Sequence, residues 1–117
     1  MSHAGQTVDE IYSLIRQAIL EKNILAVSYR GSVREMCPHV VGKTKGSPYV
    51  LMYQFAGESK GGLKRDGSPE NWRCLRIEEL SHVAVRKSNE EWHTASNYSA
   101  MQNCVDEIDL QVETKAA

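Results

Sequence analysis

Residues 49–55, YVLMYQF, decide the fold of this 117-residue chain. Successive side chains of a β-strand point to opposite faces of the sheet. One face of this stretch would carry the side chains of Tyr49, Leu51, Tyr53 and Phe55, and the other face those of Val50 and Met52. Because both faces are apolar and both need cover, the stretch predicts a central strand.

Two stretches that precede this strand also have strand character. Residues 24–29, ILAVSY, have apolar side chains at every second position, and residues 33–41 follow them after a turn at 30–32. The short connection predicts an antiparallel hairpin. Pro38 has no N–H to donate, so we expect an edge, a bulge or a strand end at that position. Residues 42–48 are predicted to form the next turn.

The stretch that follows the central strand is polar. Residues 56–71 contain four glycines and one proline and predict a long loop. Residues 72–77 and 82–86 predict two further strands. Glycine and lysine occur together in the loop, but without the spacing that a phosphate-binding Walker loop requires.

An amphipathic helix is predicted for residues 7–22. Thr7 and Glu10 are spaced as a T-x-x-E capping box. Apolar side chains then recur at helical spacing, at Ile11, Leu14, Ile15, Ala18 and Ile19. One helix followed by five short strands predicts a mainly β fold, a small antiparallel barrel.

The length of the chain fits a single domain. We expect residues 1–6 to be disordered, residues 7–88 to form the helix and barrel, and residues 89–117 to form a C-terminal extension. Within the extension, an apolar stripe that ends at Ile108 fits a helix, and the alternation at 108–112 fits a strand equally well. We favour a short helix that runs into an extended tail.

The formal net charge of −1 conceals an uneven distribution. Residues 28–76 contain nine basic and four acidic residues, a net charge of +5, and the remainder has a net charge of −6. A locally positive segment can attract an anionic partner although the whole chain is nearly neutral. The alternative is ordinary solvated charge.

The cysteine count and the hydropathy indicate the cellular compartment in which the protein occurs. Cys37, Cys74 and Cys104 are odd in number and widely spaced, which argues against a disulfide framework. We expect Cys37 and Cys74 to lie in or near the core. No apolar run approaches the roughly 18 residues that cross a bilayer, and the N-terminus lacks an export signal. These features predict a cytoplasmic protein with no membrane partner.

Cys37 and His39 are the strongest candidates for metal or nucleophilic chemistry. They stand two positions apart, on one face of a predicted strand. Two ligands do not make a zinc site, and a Cys–His nucleophile needs a third group that orients the imidazole. We therefore expect no enzyme activity, no cofactor and no metal.

Aromatic and basic residues alternate along the predicted barrel. The arginine fork binds phosphate through two hydrogen bonds, and an aromatic face can stack on a base. Strand parity places Arg76 on the same face as Trp72 and Cys74, and Arg73 on the opposite face. For each aromatic residue, the alternative is packing in the core.

Four short motifs follow one another in the chain. Residues 25–29, LAVSY, form a strand that ends in tyrosine, and Arg34 and Pro38 are spaced R-x-x-x-P. Residues 46–53, GSPYVLMY, and residues 73–80, RCLRIEEL, come after them. In this order the motifs resemble the WYL domain family of bacterial transcriptional regulators and defence-associated proteins.

The resemblance implies a five-stranded antiparallel SH3/Sm-like barrel with an N-terminal α-helix and a C-terminal extension. It also implies a non-enzymatic, ligand-sensing regulatory module, here in a stand-alone form, that binds single-stranded nucleic acid or a nucleotide and controls a regulator or effector protein. The ligand contacts that the family pattern places in this chain are Tyr29, Arg34, Tyr49, Arg73 and Arg76. Tyr53 joins them through its strand face. Pro48 and Glu79 stand where the family has Trp and Arg.

A protein-interaction or oligomerisation subunit that binds no nucleic acid is the alternative function. The open strand edges of a small barrel can pair with those of a neighbour. The acidic ends of one copy would then complement the basic middle of another in a homo-oligomer.

Overall fold

The computed structural model describes residues 6–57, 71–86, 92 and 104–112. This part of the chain contains one α-helix, six strands and a 3-10 turn between β4 and β5. Their bounds are α1 Val8–Glu21, β1 Ile24–Tyr29, β2 Ser32–Thr44, β3 Ser47–Gly57, β4 Trp72–Arg76, the turn Ile77–Glu79, β5 Leu80–Arg86 and β6 Glu107–Gln111.

Helix α1 begins at the predicted capping box. The Thr7 hydroxyl accepts a hydrogen bond from the Glu10 N–H at 3.0 Å, and the Glu10 carboxylate accepts one from the Thr7 N–H at 2.8 Å. Lys22 adopts the left-handed conformation that ends the helix. The face that packs on the sheet carries Ile11, Ile15, Ala18 and Ile19, all buried. The predicted helix is confirmed.

The strands pair in the order β4-β3-β2-β1-β5, and every pair is antiparallel. β3 lies between β4 and β2, so the predicted central strand is confirmed. The β1–β2 turn has positive φ at Arg30 and Gly31, as the twist of a two-residue hairpin requires. The β2–β3 turn is equally tight, with positive φ at Lys45 and Gly46.

The turn predicted for residues 42–48 is therefore too long. β2 continues to Thr44 and β3 starts at Ser47, where these two residues face each other across the hairpin. Glycine and proline at both ends of this stretch suggested a turn, but neighbouring strands hold both ends in the extended conformation. Gly42 faces Tyr49 and Lys43 faces Pro48 in the ladder.

The sheet curls because its first and last strands are close in sequence. β4 and β5 stand at opposite ends of the pairing order, yet only Ile77–Glu79 separate them. In a flat sheet they would lie about 19 Å apart, whereas three linking residues span at most about 14 Å. Within the described residues β4 and β5 do not pair, so the sheet is not closed into the predicted barrel.

Each face of β3 packs into a core of its own. The first core lies between the sheet and α1 and includes Val50 and Met52. The second core lies on the opposite face and contains Val40, Leu51, Tyr53, Trp72 and Val105, with Tyr49 and Phe55 packed against it. The predicted division of the β3 side chains between two faces is confirmed.

Pro38 lies at a bulge, one of the three predicted outcomes. The β2–β3 register passes from the pair Pro38–Met52 to the pair Val40–Leu51, which leaves one extra residue on β2. On the other edge of β2, pairing with β1 ends at Met36 and pairing with β6 begins at Val40. On this edge Pro38, which has no N–H, therefore lies between the stretch of β2 that pairs with β1 and the stretch that pairs with β6.

The C-terminal extension contributes strand β6, which pairs with β2. The Asp109 carboxylate accepts hydrogen bonds from the Tyr12 hydroxyl and from Arg16, each at 2.7 Å, and ties β6 to α1. These bonds hold the pKa of Asp109 below its ordinary value, while burial and Asp109 raise the pKa of Tyr12 to about 12. The helix predicted ahead of Ile108 falls mostly outside the described residues, as does most of the loop at 56–71.

The expectation of no disulfide is wrong. Cys74 on β4 and Cys104 ahead of β6 form a disulfide, with their Cα atoms 6.0 Å apart. The spacing of the cysteines along the chain does not predict this disulfide, because the curled sheet brings together residues separated by 30 positions. Cys37 forms no disulfide and is buried in the core as predicted, whereas Cys74 is exposed, so the prediction that it lies in or near the core is wrong.

The disulfide also removes the cysteine argument for a reducing compartment, and the cytoplasmic location stays a prediction. Among the described residues no helix is long and apolar enough to cross a membrane.

Breaking the disulfide should lower stability. Cys104→Ser removes a cross-link across a 30-residue separation, and we expect the free energy of unfolding to fall by about 3–4 kcal/mol. Urea denaturation of the oxidised proteins measures this difference. With a thiol reductant present the variant and the wild type should unfold at the same urea concentration. A wild type whose midpoint does not respond to reductant contradicts the prediction.

Gly42 permits β6 to approach β2. A Cβ atom there would collide with the carbonyl oxygen of Glu107 and lie 2.7 Å from Val105 Cγ1. We expect Gly42→Ala to destabilise the protein by about 1–3 kcal/mol through overpacking. Hydrogen exchange should show faster exchange in β6 and unchanged exchange in the β1–β2 hairpin. Uniform loss of protection would show that β6 does not open separately.

Candidate anion-binding site

Three polar side chains meet on the face of the sheet that otherwise forms the first core. Across the ladders, Arg34 on β2 faces Val27 and Arg73 on β4 faces Met52. Gln54 on β3 faces Met36. Val27, Met36 and Met52 all belong to the first core. Strand parity therefore directs two arginines and an amide toward an apolar interior.

Gln54 is the centre of this group. Its side chain is fully buried, and its Oε1 atom accepts hydrogen bonds from Arg34 Nη1 at 3.4 Å and from Arg73 Nε at 3.1 Å. The Nε2 atom donates to the carbonyl oxygen of Ala56 at 3.2 Å, which fixes the orientation of the amide. A single neutral oxygen thus holds two guanidinium groups.

Arg34 is the most buried charged side chain of the site. Only 6% of its surface is exposed, and its Nε atom is buried without a hydrogen-bond partner. The guanidinium carbon lies 4.9 Å from the ring centroid of Tyr29. No carboxylate forms an ion pair with Arg34 in the part of the chain that the structure describes. A buried cation without a counter-ion is unfavourable, so this position favours an incoming anion.

Arg73 lies closer to solvent and is influenced by Arg34. It is half-buried, and its Nη1 atom donates to the carbonyl oxygen of Trp72 at 3.0 Å. Burial lowers the pKa of Arg73, and repulsion from the charge of Arg34 lowers this pKa further. The two cations therefore repel each other across one short gap, and an oxyanion between them would relieve that repulsion.

Tyr29 and Arg30 complete the edge of the site. Tyr29 is half-buried, and the guanidinium carbon of Arg30 lies 5.1 Å from its ring centroid. Arg30 is exposed and occupies the left-handed first position of the β1–β2 turn. A third guanidinium group thus stands beside the same tyrosine ring, on an exposed turn.

The other three predicted ligand residues lie on the opposite face of the sheet. Tyr49 faces Arg76 across the β3–β4 ladder, and Arg76 forms an ion pair with Glu78 at 2.6 Å. Tyr53 is fully buried, with its ring centroid 5.2 Å from that of Trp72. The six predicted residues therefore divide into Tyr29, Arg34 and Arg73 at the site and Tyr49, Tyr53 and Arg76 away from it.

Sequence reasoning did not include Gln54 or Arg30 in the site. Gln54 had a usable signal, because it is the one amide in a stretch whose two faces are otherwise apolar or aromatic. A polar side chain at such a position must find a partner in the interior. Arg30 stands in a turn, where sequence alone gives its side chain no direction.

Cys37 and His39 lie in the interior and not in a cleft. Both are fully buried, and His39 Nδ1 donates to the carbonyl oxygen of Cys37 at 2.8 Å. The imidazole packs against Trp72 and Trp92, at centroid distances of 4.6 and 4.1 Å. Within the described ranges no group of three metal-binding side chains converges here or elsewhere.

The comparisons with known proteins add no relative to this geometry. No family model, no curated protein and no solved structure matches the chain.

The buried imidazole makes stability depend on pH. Burial and the charge of Lys22 lower the pKa of His39 to about 4, although its bond to Cys37 opposes the shift. Between pH 6.5 and pH 4 the unfolded chain binds a proton that the native protein does not, so stability falls as pH falls through this window. The full loss is about 3 kcal/mol.

Urea denaturation at pH 7 and pH 4.5 measures the effect of His39. We expect His39→Leu to reduce the pH dependence, because leucine has no proton to bind. His82→Asn is the matched control, since His82 is exposed and asparagine tolerates its left-handed backbone. Equal pH dependence in the wild type and His39→Leu would contradict the assignment.

Proposed function

We propose that this protein is a non-enzymatic, ligand-sensing module that binds a phosphate group of a nucleic acid or nucleotide at Arg34 and Arg73. The observation that carries the proposal is the guanidinium of Arg34, which is buried, has an unpartnered Nε and is held by a neutral amide. Arginine presents its donors in a planar fork that matches two oxygens of a phosphate. Phosphate would supply the negative counter-charge that Arg34 does not receive from the described residues.

The surroundings of the two arginines favour an anion that carries an aromatic group. Arg30 is exposed beside the site, and the segment from residue 28 to 76 has a net charge of +5. The half-buried ring of Tyr29 offers a surface on which a base can stack. Because Arg34 is nearly inaccessible, a nucleotide or a flexible single strand can present a phosphate to it more readily than a rigid duplex can.

The proposal agrees with the resemblance to the WYL family. Tyr29, Arg34 and Arg73 are three of the contacts that the resemblance implies, and they meet in one place. The strand order, with β4 and β5 joined by three residues, supports assignment to the SH3/Sm-like barrels. We further propose that ligand binding controls a regulator or effector protein.

Binding of a 5′-phosphorylated single-stranded oligonucleotide, followed by fluorescence anisotropy, tests the proposal. We expect binding at low salt that weakens as salt is added, because phosphate contacts release counter-ions. Arg34→Gln and Arg73→Gln should each lower affinity at least about tenfold, as expected for a lost charge-assisted hydrogen bond. Thermal melts separate this loss from unfolding.

Arg76→Gln is the matched control, because it removes the same charge from the same strand as Arg73→Gln. Arg76 lies on the opposite face and already pairs with Glu78, so its loss should change affinity little. Equal losses from Arg73→Gln and Arg76→Gln would contradict the assignment of the site. No binding by the wild type at low salt, together with a stable oligomer in sedimentation, would favour the interaction subunit instead.

A further inference from the structure

Gln54 leads to an inference that rests on the proposed function and goes beyond it. We propose that the neutral amide of Gln54 is the specificity-determining group of the site. It positions Arg34 and Arg73 without adding a negative charge, and so leaves the positive charge of the buried Arg34 for a phosphate-bearing ligand. Gln54 acts as a positioning residue, through the two arginines.

The hydrogen-bond geometry around Gln54 supports this role. The Arg34 and Arg73 donors both reach the same Oε1 atom, so one tetrahedral oxyanion is large enough to contact both guanidinium groups. The bond from Gln54 Nε2 to the Ala56 carbonyl keeps Oε1, and not the amide nitrogen, toward the arginines. The orientation of both forks is therefore set before a ligand arrives, which lowers the entropic penalty of binding.

The partners of the other arginines in the described residues also support this role. The ion pairs in the described residues join Arg16 to Asp109, Arg76 to Glu78 and Arg86 to Glu35. These three arginines are partly exposed to water, yet each has a carboxylate. Arg34 is far more buried, and its side-chain hydrogen bond goes to an amide.

The burial of Arg34 by itself would favour a carboxylate at position 54. Glutamate has nearly the shape of glutamine, and its carboxylate would give the buried Arg34 a counter-ion, which is the usual way to accommodate a buried cation. It would also neutralise the charge that attracts an anion. An amide at this position satisfies the hydrogen-bond geometry of the fold and leaves the charge for the ligand.

Gln54→Glu separates the two roles. We expect the variant to melt at the wild-type temperature or higher at pH 7, because pairing of its carboxylate with Arg34 outweighs the loss of the hydrogen bond to the Ala56 carbonyl. We also expect its affinity for the 5′-phosphorylated oligonucleotide to fall at least about tenfold. The slope of log affinity against log salt should decrease by about 0.7, the value for one phosphate contact on a single strand. Inorganic phosphate should raise the melting temperature of the wild type and leave that of Gln54→Glu unchanged.

Two further variants control for charge and for packing. Gln17→Glu adds the same charge on the exposed face of α1 and should leave affinity nearly unchanged. Gln54→Leu keeps both cations but removes the acceptor, so it should lower the melting temperature while retaining the wild-type salt slope. A higher melting temperature with weaker binding in Gln54→Glu is a combination that a purely structural glutamine would not produce.

The outcomes distinguish this inference from the proposed function. If the wild type binds and Gln54→Glu binds equally well, the inference is wrong and the proposed function stands. If Gln54→Glu melts well below the wild type, a carboxylate at this position does not stabilise Arg34 enough to replace the bond to Ala56, so folding alone accounts for the amide and the inference is wrong again. If the wild type binds neither the oligonucleotide nor phosphate, both are overturned.

Discussion

Burial of β3 on both of its faces is the constraint on which the rest of this structure depends. Val50 and Met52 require one apolar layer, and Leu51 and Tyr53 require another. Helix α1 covers the first, and Cys104 and Val105 help to cover the second. The disulfide, the close approach at Gly42 and the hydrogen bonds of Asp109 all hold the C-terminal segment in that place.

The same alternation that builds two cores also creates the candidate site. A strand that must be apolar on both faces can carry a polar group only where partners reach it in the interior. Gln54 meets this condition because Arg34 and Arg73 arrive from the strands on either side. Ladder hydrogen bonds fix the backbones of the three strands, and the two bonds to Gln54 fix the guanidinium groups of Arg34 and Arg73 relative to each other.

Local patterns predicted most of the elements. The helix with its capping box, the β1–β2 hairpin, the bulge at Pro38 and the central position of β3 all follow from interactions between near neighbours in sequence. The errors arose where distant segments meet. β6 pairs with β2 and extends it through a stretch that looked like a turn, and the disulfide joins residues that only the curl of the sheet brings together.

For the site, sequence by itself determined which residue types are present and which face of its strand each one occupies. Parity alone separates Arg73 from Arg76, because side chains three positions apart in a strand point to opposite faces. Only the tertiary structure decided which faces meet. The lateral pairing of β2, β3 and β4 aligned Arg34, Gln54 and Arg73, and burial left Arg34 with an amide as its partner. Register and burial depend on the packing of the whole sheet, so no single stretch of the chain encodes them.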